Sequence, residues 1–287
     1  MSLSFRTVLP SSPIAVLNSL PVCAGPFCPR PPTLWQRWWA RNEGVWLEDR
    51  WYCSAACFQA GLYRLLERAL LAPAHLVARP HRLPLGLILL SQGEITADQL
   101  HDALQQQREA GSGRIGEWLV KLGTASESAV TAALAAQQGC PVFSSCEPPL
   151  LPERMQWPGL LTERYRALPV FFNPRQATVY VGFEERVDRA FLLSLERILR
   201  CRTQPCILPA AGYRRQQEMH AFTACGETVA IEEPLDCEAM TRTLGNYAEQ
   251  VRAQRASLVR CEDRIWTRLE PAQGAPVDFL MRPALAG

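Results

Sequence analysis

Four cysteines stand in two close pairs, Cys23-x4-Cys28 and Cys53-x3-Cys57. Thiolates in two such pairs suit a tetrahedral Zn²⁺ ion. A closed four-sulfur shell implies a structural ion, since a catalytic one keeps a position open. Two other readings are available. The four could be buried free thiols in a chain with eleven cysteines, or parts of a disulfide framework, which a reducing compartment disfavours. Cys140, Cys146, Cys201, Cys206, Cys225, Cys237 and Cys261 show no comparable pairing and read as core thiols. His75, His81, His101 and His220 are scattered and suggest no metal triad.

The second place where residue types and spacing imply chemistry is a sequence written twice. PLGLILLSQGEITADQLHDALQQQ (Pro84 to Gln107) is followed, 30 residues on, by RIGEWLVKLGTASESAVTAALAAQ (Arg114 to Gln137). Both copies carry aliphatic-Gly-x-x-Leu-aliphatic-x-x-Gly and then Ala-Leu-x-x-Gln. The chemical difference lies at the opening position. Arg114 offers a guanidinium that can stack on a base and fork onto phosphate; Pro84 offers neither.

The elements that must position these groups follow from local rules. Around the cysteines, GVWLEDRWY reads as a hairpin turning at Glu48-Asp49. After Cys57, Leu62, Leu65, Leu66, Ala69 and Leu70 mark an amphipathic helix. Knuckle, hairpin, then cysteines at a helix start is the order of a treble-clef-like zinc site over residues 23–75. Trp35, Trp38, Trp39, Trp46 and Trp51 read as its minimal core, with a binding surface as the alternative. Each copy of the repeat reads as a helix–turn–helix. Gly93 and Gly123 stop the first helix, where a left-handed residue is needed. Thr96 with Gln99 forms a capping box behind Ile95, and Ser126 caps the corresponding helix with Glu127 in its first turn. Leu100, Ala103 and Leu104, like Val130, Ala133 and Leu134, form the apolar stripe, and Gly139 ends the last helix. A unit of about two dozen residues cannot bury its apolar face alone, so the copies should pack together. Gly86 and Gly116 fall inside the first helices, where glycine costs about 1 kcal/mol against alanine. Either close helix–helix approach or close backbone approach to a ligand would justify them.

The tandem motif resembles the N-terminal domain of type II secretion and type IV pilus assembly ATPases, the GspE/MshE N-terminal domain family. That family carries Arg-Leu-Gly-x-x-Leu-Val-x-x-Gly-x-Ile, then Leu-x-x-Ala-Leu-x-x-Gln, and in one branch the tandem motif binds cyclic di-GMP. The resemblance implies cyclic di-GMP as ligand, with Leu85, Gly86, Leu89, Gly93, Leu104 and Gln107 from the first copy. From the second it implies Arg114, Ile115, Gly116, Leu119, Gly123, Leu134 and Gln137. Pro84 departs from the family's arginine, and Arg82, two residues earlier, is a candidate substitute. The resemblance extends to about residue 220 through LLPERM and RYRALPVFF and departs at Gly182-Phe183-Glu184-Glu185, where the family tends to have an Ala…Asp-Pro turn.

Beyond the repeat, PVFSSCEPPLLPERMQWPG is proline-rich and predicts a linker over 141–159. ALPVFF and ATVYVGF predict strands joined at Asn173-Pro174, VDRAFLLSLERILR an amphipathic helix, and TQPCILP a further strand, together a small α+β unit over 160–220. In the tail, 221–287, DCEAMTRTLGNYAEQVRAQRA is helical in character. SLVRCED and RIWTRLE predict a hairpin, and APVDFLMRP an edge strand. The expected fold class is therefore α+β and multidomain: a disordered or extended segment 1–22, a zinc module, a tandem helical repeat at 80–140, an α+β sandwich and a tail.

Composition bounds the function. With 30 basic and 28 acidic residues the net charge is +2, which gives no strong pull toward nucleic acid or membrane. Lys121 is the only lysine, which fits genomic base composition better than a need for guanidinium. No apolar run approaches the ~20 residues of a membrane span. Pro10, Pro13 and Pro21 break up the N-terminus, which does not read as a signal peptide. A cytoplasmic protein with reduced thiols is expected. The sequence holds no G-x-x-x-x-G-K-[ST], no G-x-S-x-G and no H-E-x-x-H, and Glu232-Glu233 reads as a solvated face, so no enzyme is expected. The expectation is a non-enzymatic regulator or adaptor of a secretion or pilus-type system, standing alone without the ATPase domain and contacting a protein of that machinery. The alternatives are a ligand-free scaffold with a degenerate pocket, or a zinc-containing nucleic-acid-binding regulator. The near-neutral charge and the glycines in the first helices argue against the last.

Overall fold

The computed structural model describes residues 22–28, 44–71, 82–144, 151–152, 155, 157–222 and 227–284. Expectations for residues 1–21, Trp35, Trp38, Trp39, His75, His81, Cys146 and Cys225 lie outside these residues. The chain forms two compact units. One joins the N-terminal 72 residues to residues 229–287, and the other spans 73–228.

In the first unit, β1 (Val45–Leu47) and β2 (Arg50–Tyr52) form the expected hairpin, with Glu48 in the left-handed region at its turn. Helix α1 (Ala55–Leu71) follows and buries Phe58, Leu62 and Leu66. The tail does not stand apart from this module. β1 pairs in parallel with β7 (Ala253–Cys261), and the sheet runs β2-β1-β7-β8-β9-β6, with β8 at Arg264–Pro271, β9 at Val277–Pro283 and β6 at Glu227–Leu235. Helix α9 (Cys237–Gln250) packs on α1. Leu47, Trp51, Phe58, Leu62, Met240, Leu244, Ile265 and Phe279 share one core. So short a hairpin and single helix gain far more apolar burial by joining the tail's sheet than by closing on themselves.

Two details of the tail are corrected. The expected edge strand β9 lies inside the sheet, between β8 and β6. The helical stretch ends at Gln250 because Arg252 turns left-handed (φ 50°), and the residues from Ala253 pair as β7. Strand β6 was not expected. Val229, Ile231 and Leu235 face inward in alternation with exposed neighbours. Glu232 is exposed, as read, and pairs with Arg264 through two bonds of 2.9 and 2.8 Å.

The second unit holds the repeat as four helices, α2 (Leu85–Ser91), α3 (Ala97–Ala110), α4 (Ile115–Lys121) and α5 (Glu127–Gln138). After α6 (Gly159–Tyr165), strands β3 (Ala167–Asn173) and β4 (Thr178–Phe183) are antiparallel. Helix α7 (Arg189–Leu199) leads to β5 (Arg202–Ile207), parallel to β4, and α8 (Ala210–Phe222) follows. Helix α7 buries Phe191, Leu195 and Ile198, and Tyr213 of α8 joins Leu168, Val170 and Cys206 in a separate cluster. The expected linker does not part the repeat from this sheet. Pro141 accepts a hydrogen bond from the Ile207 amide (2.9 Å), Phe143 donates one back to Ile207 (2.9 Å), and Val142 bridges β5 in parallel. Pro141 ends helical structure without preventing its neighbours from pairing with β5.

Candidate functional site

The repeat is built twice by the same local chemistry. Thr96 caps α3 by accepting the Gln99 amide (3.3 Å), and Gln99 Oε1 accepts the Thr96 amide (2.8 Å), completing the capping box. Ser126 caps α5 by accepting the Ala129 amide (3.1 Å). Gly93 and Gly123 have φ of 74° and 68°, and Gly139 ends α5 left-handed. Leu89, Ile95, Ala103, Leu119, Val130 and Ala133 are the buried centre; Leu89 with Leu119 and Ala103 with Ala133 are matched positions, while Ile95 and Val130 answer to the half-buried Ala125 and Leu100.

The two helix glycines are explained by packing. A Cβ on Gly86 would stand 2.6 Å from Leu100 Cδ1, and one on Gly116 would stand 2.9 Å from Val130 Cγ1. Leu100 and Val130 are themselves equivalent across the repeat, so each glycine lets its own copy's second helix close on the first.

The paired glutamines hold the copies together crosswise. Gln107 Nε2 donates to the carbonyl of Gly113 (2.8 Å), just before the second copy, and Gln137 Nε2 donates to that of Leu83 (2.6 Å), just before the first. Donor and acceptor are both shifted by 30 residues. Each copy thus fixes the entrance of the other's first helix.

At those entrances the copies differ. Pro84 is the N-cap of α2 (φ −55°) and carries no polar side chain. Arg114 is the N-cap of α4 with its side chain 54% exposed, its amide bonded to Glu117 Oε2 (3.2 Å) and its guanidinium paired with Glu185. Exposed pairs of this kind contribute about 0–1 kcal/mol, so a stronger anion could displace the carboxylate. The Glu184-Glu185 step that departs from the family pattern therefore has a use: Glu184 pairs with Arg166 and Glu185 reaches across to the repeat. Arg82 does not take the place left by Pro84 with a free side chain; its Nη1 donates to Gln138 Oε1. Sequence reasoning missed Glu185 and Gln138 as contributors, although the first stood in a noted departure and the second beside a named glutamine.

Of the other residues the resemblance implies, Leu89, Leu119, Gly86 and Gly116 are buried. Leu85, Ile115 and Leu134 are half-buried against the same core, Leu104 is half-buried outside it, and Gly93 and Gly123 are exposed in the turns.

The four cysteines come together in the first unit. Cys23 and Cys28 flank a turn bound to β2 by the Ala24 amide on the Trp51 carbonyl (2.8 Å). Cys53 follows β2, and Cys57 lies in the first turn of α1. Their sulfurs all lie within 4.8 Å of one another, with Cys28 and Cys53 at 3.5 Å and Cys53 and Cys57 at 4.0 Å. Four sulfurs about 2.3 Å from a tetrahedral centre would stand about 3.8 Å apart. The amides of Gly25 and Cys53 both donate to Cys23 Sγ at 3.4 Å, the supporting bonds a thiolate ligand takes. A Cβ on Gly25 would stand 2.9 Å from Cys57 Sγ, so only glycine lets the turn close over the cluster. Burial pushes the Cys53 thiol up to about 12, with hydrogen bonds to the Cys28 and Cys23 sulfurs adding to it. Burial also raises Cys23, but hydrogen bonds from the Cys53 and Gly25 amides, together with those to the Cys53 and Cys28 sulfurs, outweigh it and leave the thiol below its ordinary value. A divalent cation would remove the conflict by drawing all four protons off. The donor set fits Zn²⁺ as a closed structural shell.

No protein-family model matches the chain, and no curated protein matches it. Among solved structures, one of MshE with cdg is 24% identical, covering 48% of this chain and 99% of that one at a TM-score of 0.40. The N-terminal domain of XpsE in one crystal form is 16% identical, over 47% and 91%, at 0.35. In another it is 20% identical, over 49% and 98%, at 0.28. Scores of this size carry no functional inference. Among the described residues no helix is long and apolar enough to cross a membrane.

Proposed function

We propose that the chain is a non-enzymatic regulatory or adaptor protein of a secretion or pilus-type system that binds cyclic di-GMP through its tandem repeat. A structural Zn²⁺ on Cys23, Cys28, Cys53 and Cys57 completes its first unit. The observation that carries the ligand reading is Arg114. It opens the better-matching copy, stands exposed at the head of α4 with its backbone fixed by Glu117, and already holds a carboxylate. A phosphodiester offers the same guanidinium a stronger anion, and guanine a face to stack on. Half-buried Ile115 and Leu134 supply apolar surface in the same copy. No P-loop lysine or hydroxyl is present in the sequence to hold a nucleoside triphosphate and Mg²⁺.

A ligand-free scaffold is the second reading. It is favoured by the two helix glycines and the two glutamines, whose places are accounted for by packing and cross-bracing alone. Calorimetry and thermal shift with cyclic di-GMP on the whole protein decide between them. Measurable heat supports the regulator; neither heat nor a thermal shift at high micromolar ligand replaces it with the scaffold. Elemental analysis should give one zinc per chain.

A further inference from the structure

The segment between β4 and α7 runs along the repeat and brings three arginines to one place. Gln138 Oε1, at the end of α5, accepts both Arg82 Nη1 and the Val187 amide (3.2 Å). Because the two donors share one oxygen, the guanidinium of Arg82 lies beside the backbone that carries Arg186 and Arg189 on either side. Arg82 is half-buried, and Arg186 and Arg189 are exposed. Among the described residues none of the three has a carboxylate partner. The nearby carboxylates are spent elsewhere: Glu185 on Arg114, Glu184 on Arg166, and Asp188 Oδ1 on the Phe191 amide as the cap of α7 (2.8 Å). Burial first, then the charges of Arg186 and Arg189, hold the Arg82 pKa below its ordinary value. Three like charges held together around the neutral Gln138 amide oxygen, with the Cys140 thiol beside them kept protonated by burial, make an electropositive patch that a doubly charged anion would relieve.

We propose that Arg82, Arg186 and Arg189 form a phosphate-binding site at the junction of the repeat and the three-stranded sheet, taking a pyrophosphate or phosphodiester group. Guanidinium forks match tetrahedral phosphate oxygens, and three of them can surround two phosphates. The assignment does not rest on the dinucleotide reading, because Arg114 is not among its groups and is satisfied by Glu185.

The test is thermal shift and calorimetry of the full chain with sodium pyrophosphate, against chloride at equal ionic strength. The expected results are a shift with pyrophosphate beyond that with chloride, and at least a tenfold loss of apparent affinity in Arg186→Gln/Arg189→Gln. Both side chains are exposed, so the variant should fold. Arg175→Gln/Arg202→Gln, with the same change in net charge on exposed arginines away from the junction, should bind as wild type. No pyrophosphate effect beyond chloride, or equal losses in the two double variants, would overturn the site. Titrating Arg186→Gln/Arg189→Gln with cyclic di-GMP identifies the source of the phosphate. A parallel loss assigns it to that ligand's phosphodiester, and an unchanged affinity assigns it to a separate phosphate compound. Either result supports the site only if the pyrophosphate loss is present.

Discussion

The two copies of the repeat agree at central core, capping and bracing positions and part at their entrances. Leu89 and Leu119, Gly86 and Gly116, Thr96 and Ser126, Gln107 and Gln137 occupy equivalent places with equivalent contacts. At the entrances, Pro84 stands against Arg114, exposed Leu87 against Glu117, and Ile88 against Trp118, whose Nε1 donates to the Ser112 carbonyl (3.0 Å) and whose ring lies under Lys121. Core positions are held by packing that both copies need in order to bury a shared face. Positions 84 and 114 are free of that demand, so the second copy opens on an arginine that can meet an anion and the first on a proline that only begins a helix.

This contrast can be broken at several levels. The largest effect is expected from removing metal, and it asks whether either copy depends on the cysteine unit. Structural Zn²⁺ contributes on the order of 10–16 kcal/mol in small modules, comparable to or above the whole stability of a domain, about 5–15 kcal/mol. Chelation should therefore remove hydrogen-exchange protection from β1, β2 and α1 while α2 to α5 stay protected. Uniform protection after complete removal of zinc, or Cys53→Ser folding normally, would refute the metal site.

Next in size are the buried leucines. Leu89→Ala and Leu119→Ala should each cost about 2–5 kcal/mol in urea unfolding, and by similar amounts, since both are fully buried in the same cluster. A large disparity would show that the copies are not structurally equivalent.

The glycines give a finer difference. Alanine gains about 1 kcal/mol of helix propensity at either site, and the new methyl meets a neighbour at both. At Gly86 that neighbour is the far end of Leu100, which can turn away. At Gly116 it is the stiff Val130, with Leu85 Cδ2 at 3.2 Å behind it. Gly116→Ala should lose about 1–2 kcal/mol net by overpacking, and Gly86→Ala should stay within about 1 kcal/mol of wild type. Reversal of that order in thermal melts would remove the packing explanation of these glycines.

What was legible in the sequence was local. Thr96 with Gln99, Ser126, and Gly93 with Gly123 announce their helix ends because a cap is decided within four residues. The Glu48-Asp49 turn and the cysteine spacings were readable for the same reason. What was not legible depends on partners far along the chain. Nothing in GVWLEDRWY indicates that β1 will lie parallel to β7, some two hundred positions on, because strand edges carry no address. β6 went unread because its alternation of Val229, Ile231 and Leu235 is diluted by glutamates and a proline, as suits a sheet edge. The reach of Glu185 to Arg114 is likewise a product of the assembled unit. At the candidate site the arginine was readable as chemistry, but the glutamines were not readable as braces until both copies had folded against each other.

The most direct test is calorimetry with cyclic di-GMP on wild type, Arg114→Ala and Pro84→Arg. The N-cap geometry at position 84 accepts a side chain without strain. The account predicts binding by wild type, a loss of at least about tenfold (about 1.4 kcal/mol) in Arg114→Ala, and tighter binding in Pro84→Arg. Arg114→Ala binding as well as wild type, or Pro84→Arg binding no more tightly, would contradict the claim that the second copy's entrance carries the site and the first has lost its half.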